Sequence, residues 1–261
     1  MVILNSAQVA REMLETKGLI YSDRPVLQIA GNLVGWRNSL GLMPYGDRFR
    51  LYRRLLHDLM GSKASVQKFS DVEQIEMHRF ARRVLANPAD LAQHIRHTAG
   101  AIITRITYGY EVKENDDVFV ELANKSVAQF SVATTPGAFV VDVFPQRQLV
   151  SLTTLRTDII FYQPVRHVPA WFPGASFKRK AKEWAATLAE MVEQPFTFVK
   201  KELAAGTAQN SFVSSLLAGK DVDHEKEFDI KWSALSLYAG GADTVGAFVI
   251  ENRSDLHLFQ L

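Results

Sequence analysis

From Asp47 onward apolar side chains return every three or four residues, with Phe49, Tyr52 and Leu56 in step until Gly61, a spacing that predicts a helix. A second helix, capped by Ser70 or Asp71, carries Val72, Ile75, Phe80 and Val84 until Asn87-Pro88 stops it. A third starts near Asp90 and runs through Ala99-Gly100-Ala101-Ile102-Ile103 to Tyr108-Gly109-Tyr110, with its apolar second half expected to be buried. Weaker patterns predict helices around 116–131, 177–204 and 211–217, and the last strong segment spans 230–250. Ahead of these, Val2 to Leu4 reads as a short strand, and Ser6 caps a helix from Ala7 to Lys17 that Gly18 ends. Tyr21 to Pro25 reads as a turn. Gly31, Gly35, Gly41 and Pro44 then predict a long ordered loop, a kind of segment that often carries function. Pro136, Pro145, Pro164, Pro169 and Pro173 mark an irregular connection. The pattern is that of a mainly α fold with little strand, without internal repeat or low-complexity tract.

Composition narrows the chemistry more than the fold. With 261 residues, 47% apolar and 22% charged, the chain is long enough to bury a substantial core. Its net charge of +2, from 30 basic and 28 acidic residues, gives no reason to expect a nucleic acid or an anionic membrane as partner. The absence of cysteine excludes disulfides, thiolate nucleophiles and every thiolate-ligated metal within these residues. No stretch reaches the roughly 18 to 20 apolar residues of a spanning helix, and the start lacks a signal-peptide pattern, so neither anchor nor signal is expected here.

Two segments stand out chemically. In Leu237-Tyr238-Ala239-Gly240-Gly241-Ala242-Asp243-Thr244, each glycine would cost about 1 kcal/mol inside a helix and so needs a reason to be there. One reason is a Gly-Gly turn after which Asp243 caps a new helix. The other is a helix thinned to admit a planar cofactor and a small ligand, with a carboxylate and a hydroxyl on the next turn to relay protons. In Pro44-Tyr45-Gly46-Asp47-Arg48-Phe49-Arg50-Leu51-Tyr52-Arg53-Arg54, Phe49 and Arg53 sit at i and i+4. That pair suits a carboxylate ligand, although a solvated basic helix face has the same pattern. His94 and His97, three apart, lack a third metal ligand nearby, His57 reads as solvated, and Lys178, Arg179, Lys180 and Lys182 read as a solvated helix start.

Together the two segments resemble signatures of the cytochromes P450. Gly240, Gly241, Ala242, Asp243 and Thr244 match the oxygen-activating motif of that family's central helix, and Val245 departs from it. Arg53 matches the arginine of the tryptophan-x-x-x-arginine pattern, while Phe49 replaces the tryptophan and loses its N–H donor. Tyr21 to Pro25, Tyr108 to Tyr110, Pro136 to Pro145 and Val168 to Ala175 are similar to segments of fungal secondary-metabolism members and occur in family order. The resemblance implies an incomplete cytochrome P450 fold covering the helix B to helix I region, as one partial domain over 1–261. It implies haem as cofactor, O₂ and a hydrophobic small molecule as substrates, and electrons from NADPH through a reductase. Asp243 and Thr244 would deliver protons, Gly240 and Gly241 would open the oxygen groove, and Arg53 beside Phe49 would hold a haem propionate. Arg50 and Arg54 would face the acidic reductase, and the loop before Pro44 would recognise substrate. The family's usual place is the endoplasmic-reticulum membrane.

Three departures qualify that expectation. The family's glutamate-x-x-arginine pair and cysteine loop follow the central helix, and neither occurs in the residues after Thr244. The chain would then be either a monooxygenase by descent or an inactive remnant, at most a module for apolar ligands. Residues 146–162 look inserted and 245–261 look divergent, and both read as translated intron, with Val150-Ser151 at a donor-like stretch and Gln163 at an acceptor. A central helix left uncovered also predicts poor solubility.

Overall fold

The computed structural model describes residues 3–135, 138–139, 176–218 and 222–251, the stretch 242–251 by its backbone alone. Ten α-helices cover most of these residues. They are α1 (Ala7–Arg11), α2 (Gly18–Tyr21), α3 (Asp47–Met60), α4 (Lys63–Gln67), α5 (Ser70–Ala86), α6 (Leu91–Tyr108), α7 (Val118–Thr134), α8 (Ser176–Ala205), α9 (Phe212–Leu217) and α10 (His224–Glu251). Among the described residues there is no strand, so the one expected at Val2 to Leu4 does not form at Ile3 and Leu4. A mainly α fold is therefore what the chain adopts.

The core lies between α10 and the helices around it. α6 packs along α10, and its second half is buried at Thr98, Gly100, Ala101, Ile103, Thr104, Ile106, Thr107 and Tyr108. Gly109 ends α6 in a left-handed conformation, φ 67°, which only glycine adopts cheaply. α5 is held to α6 by charge. Glu76, 2% exposed, accepts a 2.9 Å hydrogen bond from Arg79, and Arg105 lies 3.9 Å away. Asp117 starts α7 by accepting from the backbone N–H groups of Phe119 (2.9 Å) and Val120 (3.1 Å). Its other oxygen accepts from Tyr110 Oη at 2.9 Å and Lys113 N at 3.0 Å. α8 closes the far side of the core with Leu188, Met191, Val192, Phe196 and Val199, and keeps Pro195 buried within the helix.

Several boundaries differ from the sequence expectation. Ser6 caps α1, accepting from Val9 N at 3.5 Å, but α1 widens into a π-type turn over Glu12–Thr16, and Gly18 opens α2 instead of ending α1. The expected loop before Pro44 contains a π-type turn, Gln28–Val34, and a 3₁₀ turn, Trp36–Asn38, joined by Gly35 at φ 110°. The apolar Ile29 and Ala30 are fully buried there, and burial requires the backbone to satisfy its own polar groups. Neither Ser70 nor Asp71 caps α5, because the cap position falls on Phe69. α10 begins at His224, six residues before Ile230, because Asp223 accepts from Lys226 N at 2.8 Å. The proline-marked connection, apart from Ala138 and Phe139, together with the apparent insertion 146–162 and the end of the tail, lies outside the described residues.

Candidate functional site

The Gly-Gly pair sits inside an unbroken helix. α10 continues through Gly240 and Gly241 to Glu251, so the turn with Asp243 as a new cap does not form. Packing overrides propensity here, and the atoms involved are specific. A Cβ at Gly241 would lie 2.7 Å from Ile103 Cγ1, 3.0 Å from Cδ1 and 3.2 Å from Cβ, so the glycine lets α6 and α10 approach closely. Leu237 and Tyr238 are buried beside it. Tyr238 meets Tyr108 edge-on at 6.0 Å and donates from Oη to Phe119 O at 3.0 Å. Burial pushes both the Tyr108 and Tyr238 phenols up, which keeps them neutral.

Gly240 belongs to a different face. Trp232, Ser236 and Gly240 follow one another at four-residue intervals, which aligns them along one side of α10. Trp232 packs against the cluster of Met43, Phe49 and Tyr52. Ser236 Oγ donates to Trp232 O at 2.7 Å and accepts from Leu40 N at 2.9 Å, fastening the 39–45 segment to the helix. At Gly240 a Cβ would meet nothing within 4 Å among the described residues. Among the described residues the two glycines therefore have distinct surroundings, one closed by a neighbouring helix and one open. Positions 243 and 244 lie three and four residues beyond Gly240 in the helical backbone, and the Asp243 and Thr244 side chains are outside the described residues.

α3 supplies the second element. Phe49 and Tyr52 form its buried face, and the fully buried Tyr52 phenol is pushed up by desolvation, with the negative charge of Asp229 adding to it. The Arg53 guanidinium is exposed and lies over the Phe49 ring, 6.0 Å from its centroid, with no carboxylate partner among the described residues. Arg50 is engaged locally by Asp47 and lies over Tyr45. Arg48 bridges to α10, with Nε 2.8 Å from Asp229 and Nη2 3.1 Å from Glu225. α3 thus meets α10 near Asp229 and Trp232, about 16 Å and about 12 Å along the helix axis from Gly240 at about 1.5 Å per residue.

The 28–45 segment roofs this arrangement. Trp36 packs on Phe130 of α7 with ring centroids 4.7 Å apart, and Gly35 lies against Leu188 and Trp232. Away from it, His94 Nε2 contacts Asn87 O at 2.8 Å, and burial lowers the His97 pKa, with nearby Arg83 adding to the effect. His97 lines an open groove of about 400 Å³ between α6 and α7, to which no described side chain of α10 contributes. Among the described residues no three or more potential ligands gather round a metal position. Ser236, Arg48 and Asp229 escaped the sequence reading, although the 232–236–240 spacing carried a signal for the first.

A long central helix with one face closed and one open, crossed by an arginine-bearing helix, defines the helical class that the motifs pointed to. The cytochrome P450 family model matches residues 1–248, and the chain belongs to that family. It is 44% identical over 243 residues to cytochrome P450 monooxygenase 208 of Postia placenta, covering 93% of this chain and 44% of that one. It is 39% identical to cytochrome P450 monooxygenase claR of Ampulloclitocybe clavipes, covering 94% and 42%. It is 36% identical to cytochrome P450 monooxygenase ppsD of Aspergillus oryzae, covering 93% and 43%. The chain thus spans less than half the length of these curated fungal relatives. The family binds haem, and the described residues fit part of that demand: among them Gly240 has an open helix face and the Arg53 guanidinium has no carboxylate partner. The axial thiolate is not among them, since the 261 residues include no cysteine.

Proposed function

We propose that these residues form the distal portion of a haem-dependent monooxygenase that inserts one oxygen atom of O₂ into a hydrophobic small molecule, in fungal secondary metabolism. The observation that carries this reading is the open Gly240 on an unbroken α10, beside a Gly241 that is closed by Ile103. The names of the relatives and the apolar roof of Val34, Trp36, Phe130 and Leu188 support it. When bound, haem with a thiolate ligand supplies the O–O cleavage chemistry. This chain's own residues would do the rest. Gly240 leaves room for O₂ and Arg53, resting on Phe49, holds a propionate. Asp243 and Thr244 pass protons toward the oxygen being reduced. Arg50 and Arg54 receive an NADPH-dependent reductase, and the endoplasmic-reticulum membrane is the expected place of work.

The transcript beyond the codon for Leu261 tests the reading. A frame encoding a glutamate-x-x-arginine pair and a cysteine loop is expected, and its product should show the red-shifted absorption of a thiolate-ligated haem after reduction and carbon monoxide. A product that contains the cysteine and takes up no haem overturns the proposal. The 261-residue chain should show no such band, for want of a thiolate. We also propose that 146–162 and 245–261 are translated intron, and a mature message that retains both stretches would contradict this.

A further inference from the structure

Arg48 and Arg53 are five residues apart on α3, which places them about 140° apart around the helix, on opposite flanks of the buried Phe49 and Tyr52. Arg53 projects from one flank without a carboxylate partner among the described residues. Arg48 is tied on the other. Its guanidinium spans two acids one turn apart on α10, Asp229 at 2.8 Å and Glu225 at 3.1 Å, and lies 5.1 Å from the Phe228 ring centroid between them. Glu225 is mostly solvent-exposed, whereas the Asp229 side chain is 10% exposed, so the pair with Asp229 is less screened by water and salt than the pair with Glu225, although Arg48 itself is half-exposed. Apolar packing alone, through Phe49 and Tyr52 with the partly buried Leu51, Leu55, Leu56 and Leu59, would let α3 roll by small angles, since apolar contact is not directional. An ion pair on one flank, with the Asp229 carboxylate held 2.8 Å from Arg48 Nε, opposes that rotation. Arg53, carried on the same rigid helix, inherits that restraint.

We infer that Asp229 is a positioning residue: through Arg48 it fixes the rotation of α3 against α10 and so aims Arg53 at the carboxylate edge of the cofactor. The assignment rests on the haem reading above. It differs from a general packing role in one respect, since it makes the effect of Asp229 on haem binding pass through Arg53.

The test is a haemin titration of the chain, followed by haem absorption and tryptophan quenching, together with amide hydrogen exchange across Phe49 to Arg53. Asp229→Asn should weaken haemin binding roughly tenfold, the low end of what losing an outer partner of a cofactor site costs. It should also speed exchange in that stretch, and Asp229→Glu should restore most of both. Added to Arg53→Gln, it should cause little further loss, because both changes remove one interaction. Arg48→Lys, which keeps the charge but loses the fork, takes its place if Asp229→Asn does not fold, and should fall between wild type and Arg53→Gln. Unchanged affinity with a lowered melting temperature overturns the assignment in favour of plain packing. Losses that multiply with Arg53→Gln overturn it too. A wild-type chain that binds no haemin overturns this assignment and leaves the haem reading to the cysteine-containing product, an outcome distinct from failure of the bridge alone, which spares wild-type binding.

Discussion

Replacing each glycine of the central pair by alanine separates the two faces of α10 by a measurement of stability alone. Neither Gly240 nor Gly241 has a positive φ, so alanine is allowed by the backbone at both. Each substitution gains about 1 kcal/mol from helix propensity. At position 240 nothing among the described residues opposes that gain, since the new methyl meets none of their atoms within 4 Å. At position 241 the methyl would lie 2.7 Å from Ile103 Cγ1, an atom at the branch of a stiff side chain that is only 9% exposed. Overpacking of that kind costs about 1–3 kcal/mol. Propensity cancels in the comparison, so Gly241→Ala should be less stable than Gly240→Ala by about 1–3 kcal/mol, the strain term alone. In urea that is a separation of midpoints on the order of 1 M, with Gly240→Ala above wild type. Ile103→Ala removes the two nearest atoms, and in that background the two alanine variants should converge. If Gly241→Ala raises the wild-type midpoint as far as Gly240→Ala does, the close approach of α6 and α10 is wrong.

Three further outcomes follow from other parts of the fold. Gly109→Ala forces a side chain into the left-handed region, with its Cβ 3.1 Å from Gln209 Cβ and O, and should cost about 1–2 kcal/mol for the conformation alone, seen as a lowered melting temperature. Glu76→Gln leaves Arg79 and Arg105 without their shared buried carboxylate and should cost about 3–5 kcal/mol in denaturant titrations, and a loss under 1 kcal/mol would count against the cluster as a clasp between α5 and α6. Burial first, and then the hydrogen bond to Asp117, push the Tyr110 phenol up to about 12. The folded state therefore holds this proton more tightly than the unfolded one, and its contribution is intact below the unfolded value near 10 and is lost as pH rises from there through about 12. Ultraviolet titration should show Asp117→Asn moving that ionisation down.

Helices with a strong apolar repeat were legible in the sequence. α3, α5 and α6 fall close to where Phe49, Tyr52, Ile75, Phe80 and Ile103 place them, because apolar residues recur at helical spacing; in α3 and α6 that stripe is buried, whereas in α5 Ile75 is exposed and the buried residue is Glu76. The beginning of α10 was not, because its first turn holds His224, Glu225, Lys226 and Glu227, whose polarity hides the helix that Asp223 caps. The Gly-Gly pair was ambiguous for a physical reason. Propensity favours a turn, and only the distant Ile103 makes a glycine at 241 useful inside a helix. Within the candidate site, the motif gave the positions on α10 and α3 directly. The bonds from Ser236 to Leu40 and from Arg48 to Asp229 join residues almost two hundred apart, and no local pattern announces such pairs.

The clip between Ser236 and Leu40 has a consequence for the order in which the protein is made. Leu40 is synthesised 196 residues before its hydrogen-bond acceptor. At about 5–20 residues per second the acceptor follows roughly 10–40 s later. Until then the 39–45 segment has no helix to fasten to, and Trp232, which covers Met43 and Phe49, is missing for the same interval. The pairing of α5 with α6 needs nothing so late and can form on the nascent chain. The roof of the site is thus the part of the N-terminal region that waits longest for its support, exposed to chaperones and proteases for tens of seconds before α10 emerges.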